Sequence, residues 1–329
     1  MRSKYKAFHQ AIDKLREDYN KNRGLLKDKR VTQAERLILK SYIEIRNNNY
    51  QKVFEYLKNC HPTEKYFKAH KNLVMGIAYN NITKYEDSTS CFMSAEQQFD
   101  HDVDIHFVFF LYLNWYYLAS NTRNLVLSKE IITKVNKISA QLSLRFEALR
   151  VLINFDFLSQ NGEVSAAIKK NNELKKIEHN LYHADQTSLI VMRFNFYVST
   201  QDFLSAKQEL SNLKSLRKNQ LTENYKYMSS LLKFLMHDEP LYVREIEIKR
   251  TTYLYQQIKV LKLILNHDLN AAQTTWNNLA NKYPKLYQQE FQYHGGNDLF
   301  NHSLKKVLML HKQYNNKPSH DINFNASQK

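Results

Sequence analysis

The chain has 329 residues, and its 48 Lys and Arg against 32 Asp and Glu give a formal net charge of +16. An apolar share of 43% and an aromatic share of 13% are enough to build a core, which excludes a wholly disordered protein. Only five Gly and four Pro interrupt the sequence, so long helices are favoured over turn-rich β architectures. Two cysteines cannot form a disulfide framework, so we expect a reducing compartment and a cytoplasmic protein.

Residues 1–31 predict a basic amphipathic helix and a connector. Apolar side chains recur at steps of three and four residues, at Tyr5, Phe8, Ile12, Leu15 and Tyr19, and Gly24 follows as a stop signal. Residues 1–40 carry 12 Lys and Arg against 5 Asp and Glu, so part of the positive charge lies here. The apolar stretch of a secretory leader does not follow these positive residues, so we expect no such leader.

From residue 32 a short pattern recurs: a polar turn, an apolar or aromatic residue, a smaller residue three positions on, and a large apolar residue four positions further. The pattern begins at Tyr50, Tyr85, Val164, Phe203 and Leu269, at steps of 35, 79, 39 and 66 residues. The two long steps are each about twice a single step, so about seven units of 33 to 40 residues would fill the chain. This period is typical of stacked helical hairpins. The sequence therefore predicts an all-α fold, an α-solenoid of antiparallel helical hairpins.

The turns inside these hairpins are rich in Asn, Asp, Ser and Gly, at residues 47–49, 80–81, 159–162, 199–202 and 266–268. Asn, Asp and Gly tolerate the left-handed backbone conformation that ends a helix and reverses the chain. We therefore expect left-handed residues at these positions.

The most apolar stretch covers residues 107–119 and is 13 residues long. Crossing a bilayer takes roughly 20 apolar residues. A helix that is apolar on all sides more often lies inside a helical bundle or array. This stretch therefore predicts a central core helix, and we expect no membrane association.

One unit carries a family signature in detail. Gly76 and Tyr79 on its first helix, and Ser88, Phe92 and Ala95 on its second, stand at the spacings of a tetratricopeptide repeat (TPR). The chain resembles this family over residues 32–285. The resemblance implies a superhelix whose concave wall is lined by the first helices, where extended peptides or partner helices dock.

The C-terminal part predicts a loop and a capping helix over residues 286–313. Gly295 and Gly296 form the loop, and the helix has an apolar stripe made by Leu299, Phe300, Leu304, Val307 and Leu308. Near Pro240 the repeat register is broken. Residues 314–329 are polar and predict a frayed tail.

The sequence contains none of the common local signatures of catalysis. Isolated glycines form neither a phosphate-binding loop nor a dinucleotide fingerprint, and no serine lies in a nucleophile elbow. His179 and His183, with Asp185 nearby, are the one pair with metal-like spacing, but they are too few for a zinc site. We therefore expect no enzymatic activity, no cofactor and no metal.

The resemblance places a partner-binding wall on the first helices of two successive units. Its candidate residues are Tyr42, Arg46, His70, Ile77, Asn80 and Asn81. Asn and Arg side chains suit a peptide backbone or a carboxylate. The resulting hypothesis is a non-enzymatic scaffold or adaptor that binds a protein or peptide.

The positive charge supports an alternative hypothesis from a different class. A nucleic-acid-associated or peptide-sensing regulator could use the basic N-terminal region, with some of the 22 tyrosines stacking on bases. Charge alone favours non-specific association rather than a specific complex. Most tyrosines also stand at core-like spacings, so nucleic acid is the secondary expectation. The sequence leaves the identity of the partner and the oligomeric state open.

Overall fold

The computed structural model describes residues 31–98, 105–122, 124–138, 142–217, 223–236, 253–282 and 296–315, together with residues 8, 10–12, 14 and 26. In this part of the chain the regular structure is entirely helical, so the all-α prediction is confirmed. The expected break near Pro240 and the tail beyond residue 315 lie outside the described residues. The chain forms two compact units: unit 1 is residues 1–157 with 166–182, and unit 2 is residues 158–165 with 183–329.

Unit 1 is built from successive helices that pack pairwise. In chain order they are α1 (Gln33–Arg46), α2 (Tyr50–Lys58), α3 (Lys65–Asn81), α4 (Tyr85–Gln97), α5 (Ile105–Asn121), α6 (Leu125–Lys137), α7 (Leu144–Gln160) and α8 (Val164–Ile177). The residues that join α7 to α8 group with unit 2. Thr32 caps α1 in a capping box with Glu35, whose backbone nitrogen donates to Oγ1 of Thr32 at 3.3 Å.

Unit 2 contains α9 (His183–Ser199), α10 (Phe203–Arg217), α11 (Glu223–Met236), α12 (Tyr253–Leu265), α13 (Leu269–Lys282) and α14 (Gly296–Asn315). Helix α9 packs against α10, α10 against α11, and α12 against α13. Helix α14 packs against α9, α11 and α12. One contiguous apolar cluster joins these helices and includes Phe300, Leu304 and Val307 of α14.

The same turn closes five hairpins in the described part of the chain. Asn48, Thr83, Gly162, Gln201 and His267 all have a positive φ between 55° and 73°, and each lies two residues before a second helix. In every case the next backbone nitrogen donates to the carbonyl oxygen five residues earlier, as Lys84 does to Tyr79 at 2.9 Å. This is the Schellman arrangement, which satisfies carbonyl groups that the end of a helix leaves unpaired. Four of these residues lie within the predicted turn segments; in the fifth hairpin Asn80 and Asn81 belong to α3, and the left-handed residue is Thr83 instead.

The turn also identifies a hairpin inside the longest step of the sequence pattern. The backbone nitrogen of Asn124 donates to the Ala119 carbonyl at 2.8 Å, between α5 and α6. Leu125, Ser128 and Ile132 then follow the repeat pattern, 40 residues after Tyr85. The described residues thus contain six hairpins of one kind. The arrangement of about seven units in one superhelix stays a prediction.

In unit 1 the first helices of successive hairpins lie side by side and run parallel. Nδ2 of Asn121 donates to Oδ1 of Asn80 at 3.0 Å, which joins α5 to α3. The Tyr116 hydroxyl donates to Oδ2 of Asp156 at 2.8 Å, which joins α5 to α7. The partners are 41 and 40 residues apart, which is one repeat. Neighbouring first helices therefore keep the same register, as expected when similar hairpins stack.

Helix α5 is the expected core helix. Most of its side chains are buried, and Phe107, Phe109 and Tyr116 are among the largest fully buried side chains of the protein. Its apolar composition follows from contacts with α3, α4 and α6 on different sides. In the described ranges no helix has both the length and the hydropathy needed to cross a membrane.

Substitutions in the repeated turn should change stability with opposite signs at equivalent positions. Gly162 has φ +73° and open space where a Cβ atom would lie, so Gly162→Ala adds only backbone strain, about 1 kcal/mol of destabilisation. Thr83, a β-branched residue with φ 63°, should gain about 0.5 kcal/mol in Thr83→Asn, because Asn tolerates this conformation. Urea unfolding measures both changes. A shift of the same sign in the two variants would contradict the common turn.

Candidate binding surfaces

The structure places three of the six predicted wall residues in the packing between helices. His70 is fully buried, and Tyr42 and Ile77 are also buried. Oη of Tyr42 is hydrogen-bonded to Nδ1 of His70 at 2.9 Å, so these two side chains do meet across α1 and α3. The side chains of Tyr42 and His70 are therefore in contact with other residues of this same chain. This placement differs from the expected exposed wall.

The physical reason is an aromatic cluster that the sequence pattern did not reveal. The His70 ring lies 4.1 Å from the Phe107 ring of α5, 4.7 Å from Tyr66 and 5.1 Å from Phe8, measured between ring centroids. Phe8 also meets Phe67 edge to face at 5.0 Å. Thus Phe8 packs on the first two turns of α3, where it covers His70, one of the residues that the resemblance assigned to a partner.

The other three predicted residues lie at the ends of their helices and keep access to solvent. Arg46 is the last residue of α1 and is exposed, and Asn81 is the last residue of α3 and is exposed. Asn80 is half-buried and pairs with Asn121 at the end of α5. We call Arg46, Asn80, Asn81 and Asn121 the helix-end rim. That a partner binds there stays a prediction.

A charged network on unit 1 joins α4, α5 and α6. Oε1 of Glu96 accepts from the Tyr112 hydroxyl at 2.7 Å and from Nζ of Lys134 at 3.0 Å. Burial, with the neighbouring Glu96, holds the pKa of Tyr112 well above its usual value. Burial lowers the pKa of Lys134, but Glu96 and Glu130 outweigh it, and the net shift is upward. Both pKa shifts are upward, so they move Tyr112 and Lys134 further from a change of protonation near neutral pH.

The two thiols lack the environment of a reactive cysteine. Burial, with the charge of Asp87, raises the pKa of Cys91 to about 11. Burial also raises the pKa of Cys60, although Lys71 opposes the shift. Because the thiolate is the nucleophile, these thiols are poorly activated at neutral pH.

In unit 2, the C-terminal helix α14 packs against a surface formed by other helices of the same unit. We call the surface of α9, α11 and α12 that contacts α14 the α14 groove. The Phe300 ring stacks on Trp276 of α13 with a centroid distance of 5.5 Å and an interplanar angle of 10°. Nζ of Lys306 donates to the Phe234 carbonyl at the end of α11, at 2.8 Å. At the far end of α14, Nδ1 of His311 lies 2.8 Å from Nδ1 of His267.

The sequence contained part of the signal for this second surface. The apolar stripe of the C-terminal helix was predicted from the sequence, and its residues Phe300, Leu304 and Val307 are buried. The residues that this stripe contacts could not be predicted from the sequence, because they lie on helices that are far from α14 along the chain. The same holds for Phe8, whose contacts on α3 are about 60 residues away.

Within the described ranges, no cluster of three or more His, Cys, Asp and Glu side chains could hold a metal ion. Comparisons with protein-family models, with curated proteins and with solved structures find no match to this chain.

Proposed function

We propose that this protein is a non-enzymatic scaffold of TPR-like helical hairpins that binds a protein or peptide partner. The observation that carries the proposal is the docking of Phe8 on α3. There a helical segment from a distant part of the sequence buries an aromatic side chain against Tyr66, Phe67 and His70. The first-helix face is therefore chemically suited to apolar helical segments, which is a common mode of peptide recognition.

The hairpin arrangement supports the same proposal. Each hairpin of a repeat array contacts mainly its neighbours, so the ends of the first helices, which carry the helix-end rim, are left for a ligand. The helix-end rim, at the C-terminal ends of the first helices, adds the polar groups that a peptide backbone or carboxylate needs. Arg46 carries a positive charge, and Asn81 carries an amide, whose Nδ2 donates to the Ile77 carbonyl at 2.8 Å.

Replacing Arg46 and Asn81 together by Ala should reduce partner capture several-fold and leave the melting temperature within about 2 °C, because both side chains are exposed. Affinity capture from lysate, quantified by mass spectrometry, measures the first effect, and thermal unfolding measures the second. The matched control replaces Lys52 and Lys58, which are exposed on α2, and should capture normally.

A nuclease-treated sample separates the two classes of partner. Capture that survives nuclease and depends on Arg46 and Asn81 supports a protein or peptide partner. Capture that disappears with nuclease, and falls steeply as salt rises, supports the nucleic-acid alternative instead. Equal capture by the rim variant and its control argues against the helix-end rim as the site.

A further inference from the structure

The outward sides of α6 and α8 in unit 1 carry lysines at helical spacing. Both helices bury one side, and the residues on it are Ser128, Ile131, Ile132, Val135, Ala167, Asn171 and Leu174. Away from this side, α6 exposes Lys129 and Lys137, and α8 exposes Lys169 and Lys176. Each pair is separated by about two helical turns, which is roughly 10 to 12 Å along the helix. We call these four lysines the lysine face.

A polar network on α7 joins the two helices. Nη1 of Arg150 donates to Oδ1 of Asn136 on α6 at 3.1 Å. A hydrogen bond with Glu147 raises the pKa of Arg150, and the charge of Glu173 on α8 adds to this shift. The same guanidinium therefore has neighbours on both α6 and α8. Asn136 adjoins Lys137, and Glu173 lies between the two lysines of α8, so the two pairs belong to one region of unit 1.

The nearby carboxylates are already paired with other basic residues. Nζ of Lys134 lies 3.0 Å from an oxygen of Glu96 and 3.0 Å from an oxygen of Glu130. Lys170 forms an ion pair with Glu173. None of the four lysines of the lysine face forms an ion pair with a residue that the structure describes. The lysine face therefore carries positive charge that the described part of this chain does not neutralise.

Aliphatic side chains accompany this charge. Val126 precedes the lysines of α6 and is 81% exposed, and Ile168 precedes those of α8 and is 48% exposed. A peptide can satisfy both features, because it offers carboxylates and apolar side chains together. Helices α6 and α8 contain no Arg and no aromatic residue, which are the residue types that most often read guanine or stack on bases. The surface therefore favours a protein segment over a nucleic acid.

We propose that the lysine face is a docking surface for an acidic helical segment of a partner protein. The segment carries carboxylates seven or eight positions apart, which match the spacing of each lysine pair, and aliphatic side chains that reach Val126 and Ile168. Complementary charge speeds the association of such a segment and fixes its orientation. The proposal goes beyond the scaffold function by adding a second surface, since the helix-end rim lies on α1, α3 and α5.

The test uses the full chain and a fluorescein-labelled helical peptide of about three heptads, with Glu residues seven positions apart and Leu residues near one end. Fluorescence anisotropy at low salt measures its binding. Replacing all four lysines of the lysine face by Glu should weaken binding at least about tenfold. The matched control reverses four exposed lysines elsewhere in unit 1, and should bind within about threefold of wild type; these are Lys52, Lys58, Lys65 and Lys68.

A second variant tests whether the surface recognises more than charge. Val126→Ser combined with Ile168→Ser should weaken binding of the leucine-bearing peptide about threefold, because both side chains lose apolar contacts. Binding of poly-glutamate of the same length should stay unchanged in this variant. Equal binding of the two probes by the wild-type chain, or equal weakening by the two charge-reversal variants, would overturn the proposal. Binding would then follow net charge and not the position of these residues.

Two further probes and the rim variant distinguish the remaining outcomes. Tighter binding of oligothymidylate or of phosphatidylserine vesicles than of the peptide, lost when the lysine face is reversed, would overturn the proposal in favour of a nucleic acid or a membrane surface. The variant that replaces Arg46 and Asn81 by Ala should bind the peptide like wild type. If no chain binds the peptide, the lysine face is contradicted, while lysate capture that depends on the helix-end rim still supports the scaffold function.

Discussion

Gly76→Leu should destabilise unit 1 by about 3 kcal/mol or more, because the interior of the α3–α4 hairpin has no room for a side chain. A Cβ atom at position 76 would lie 2.5 Å from Cε1 and 2.7 Å from Cδ1 of Phe92. Phe92 is fully buried, so its ring cannot move into solvent. Oγ of Ser88 also donates to the Gly76 carbonyl at 2.8 Å, which holds the two helices at this close distance.

Urea unfolding of Gly76→Leu and of its control, Lys84→Ala, measures this effect. Lys84 is exposed and its side chain does not cap α4, so the control should lose less than about 0.5 kcal/mol. Phe92→Leu should partly rescue Gly76→Ala, since the smaller side chain relieves the clash. Similar losses in Gly76→Leu and Lys84→Ala would show that the helices do not meet at Gly76.

Phe107→Ala should cost about 3 to 5 kcal/mol, because it removes a fully buried ring from the centre of the aromatic cluster. That ring is 4.1 Å from His70 and 5.8 Å from Tyr66, so its loss leaves a cavity between α3 and α5. The half-buried neighbour Val108 gives the matched control, and Val108→Ala should cost under about 1.5 kcal/mol. The free energy of unfolding from urea titration measures both.

The same variant also reports on the docked N-terminal segment. His70 contacts both Phe8 and Phe107, so the cavity should loosen Phe8 and speed proteolysis within residues 1–31 relative to the Val108→Ala control. Unchanged stability in Phe107→Ala would contradict the central place of this ring in the cluster.

The class of fold could be predicted from the sequence because its determinants are local. Thr32 and Glu35, three residues apart, form a capping box at the start of α1, and four of the five predicted turn segments contain a left-handed residue. The close approach of Gly76 and Phe92 could also be predicted from the sequence, because a glycine and an aromatic residue at these offsets are typical of the two helices of one hairpin. The α5–α6 hairpin follows the same pattern through Leu125, so its signal is present in the sequence as well.

The candidate wall was harder to predict because a sequence pattern shows which face of a helix is apolar but not what covers that face. Tyr42 and His70 stand on first helices, as expected, yet they are buried because α1, α3 and α5 meet there and Phe8 packs on α3. Helical periodicity carries no information on whether a partner or the same chain supplies that cover.

The sequence by itself determined the helices, their turns and their pairing into hairpins, since each depends on residues within about one repeat of each other. Only the tertiary structure decided that Phe8 packs on the first two turns of α3 and that α14 lies against α9, α11 and α12. The physical reason is that apolar burial is non-directional: a stripe such as Phe300, Leu304 and Val307 must be covered, but any groove of suitable shape can cover it. The choice among grooves depends on how all helices of the unit pack together, which no local pattern records.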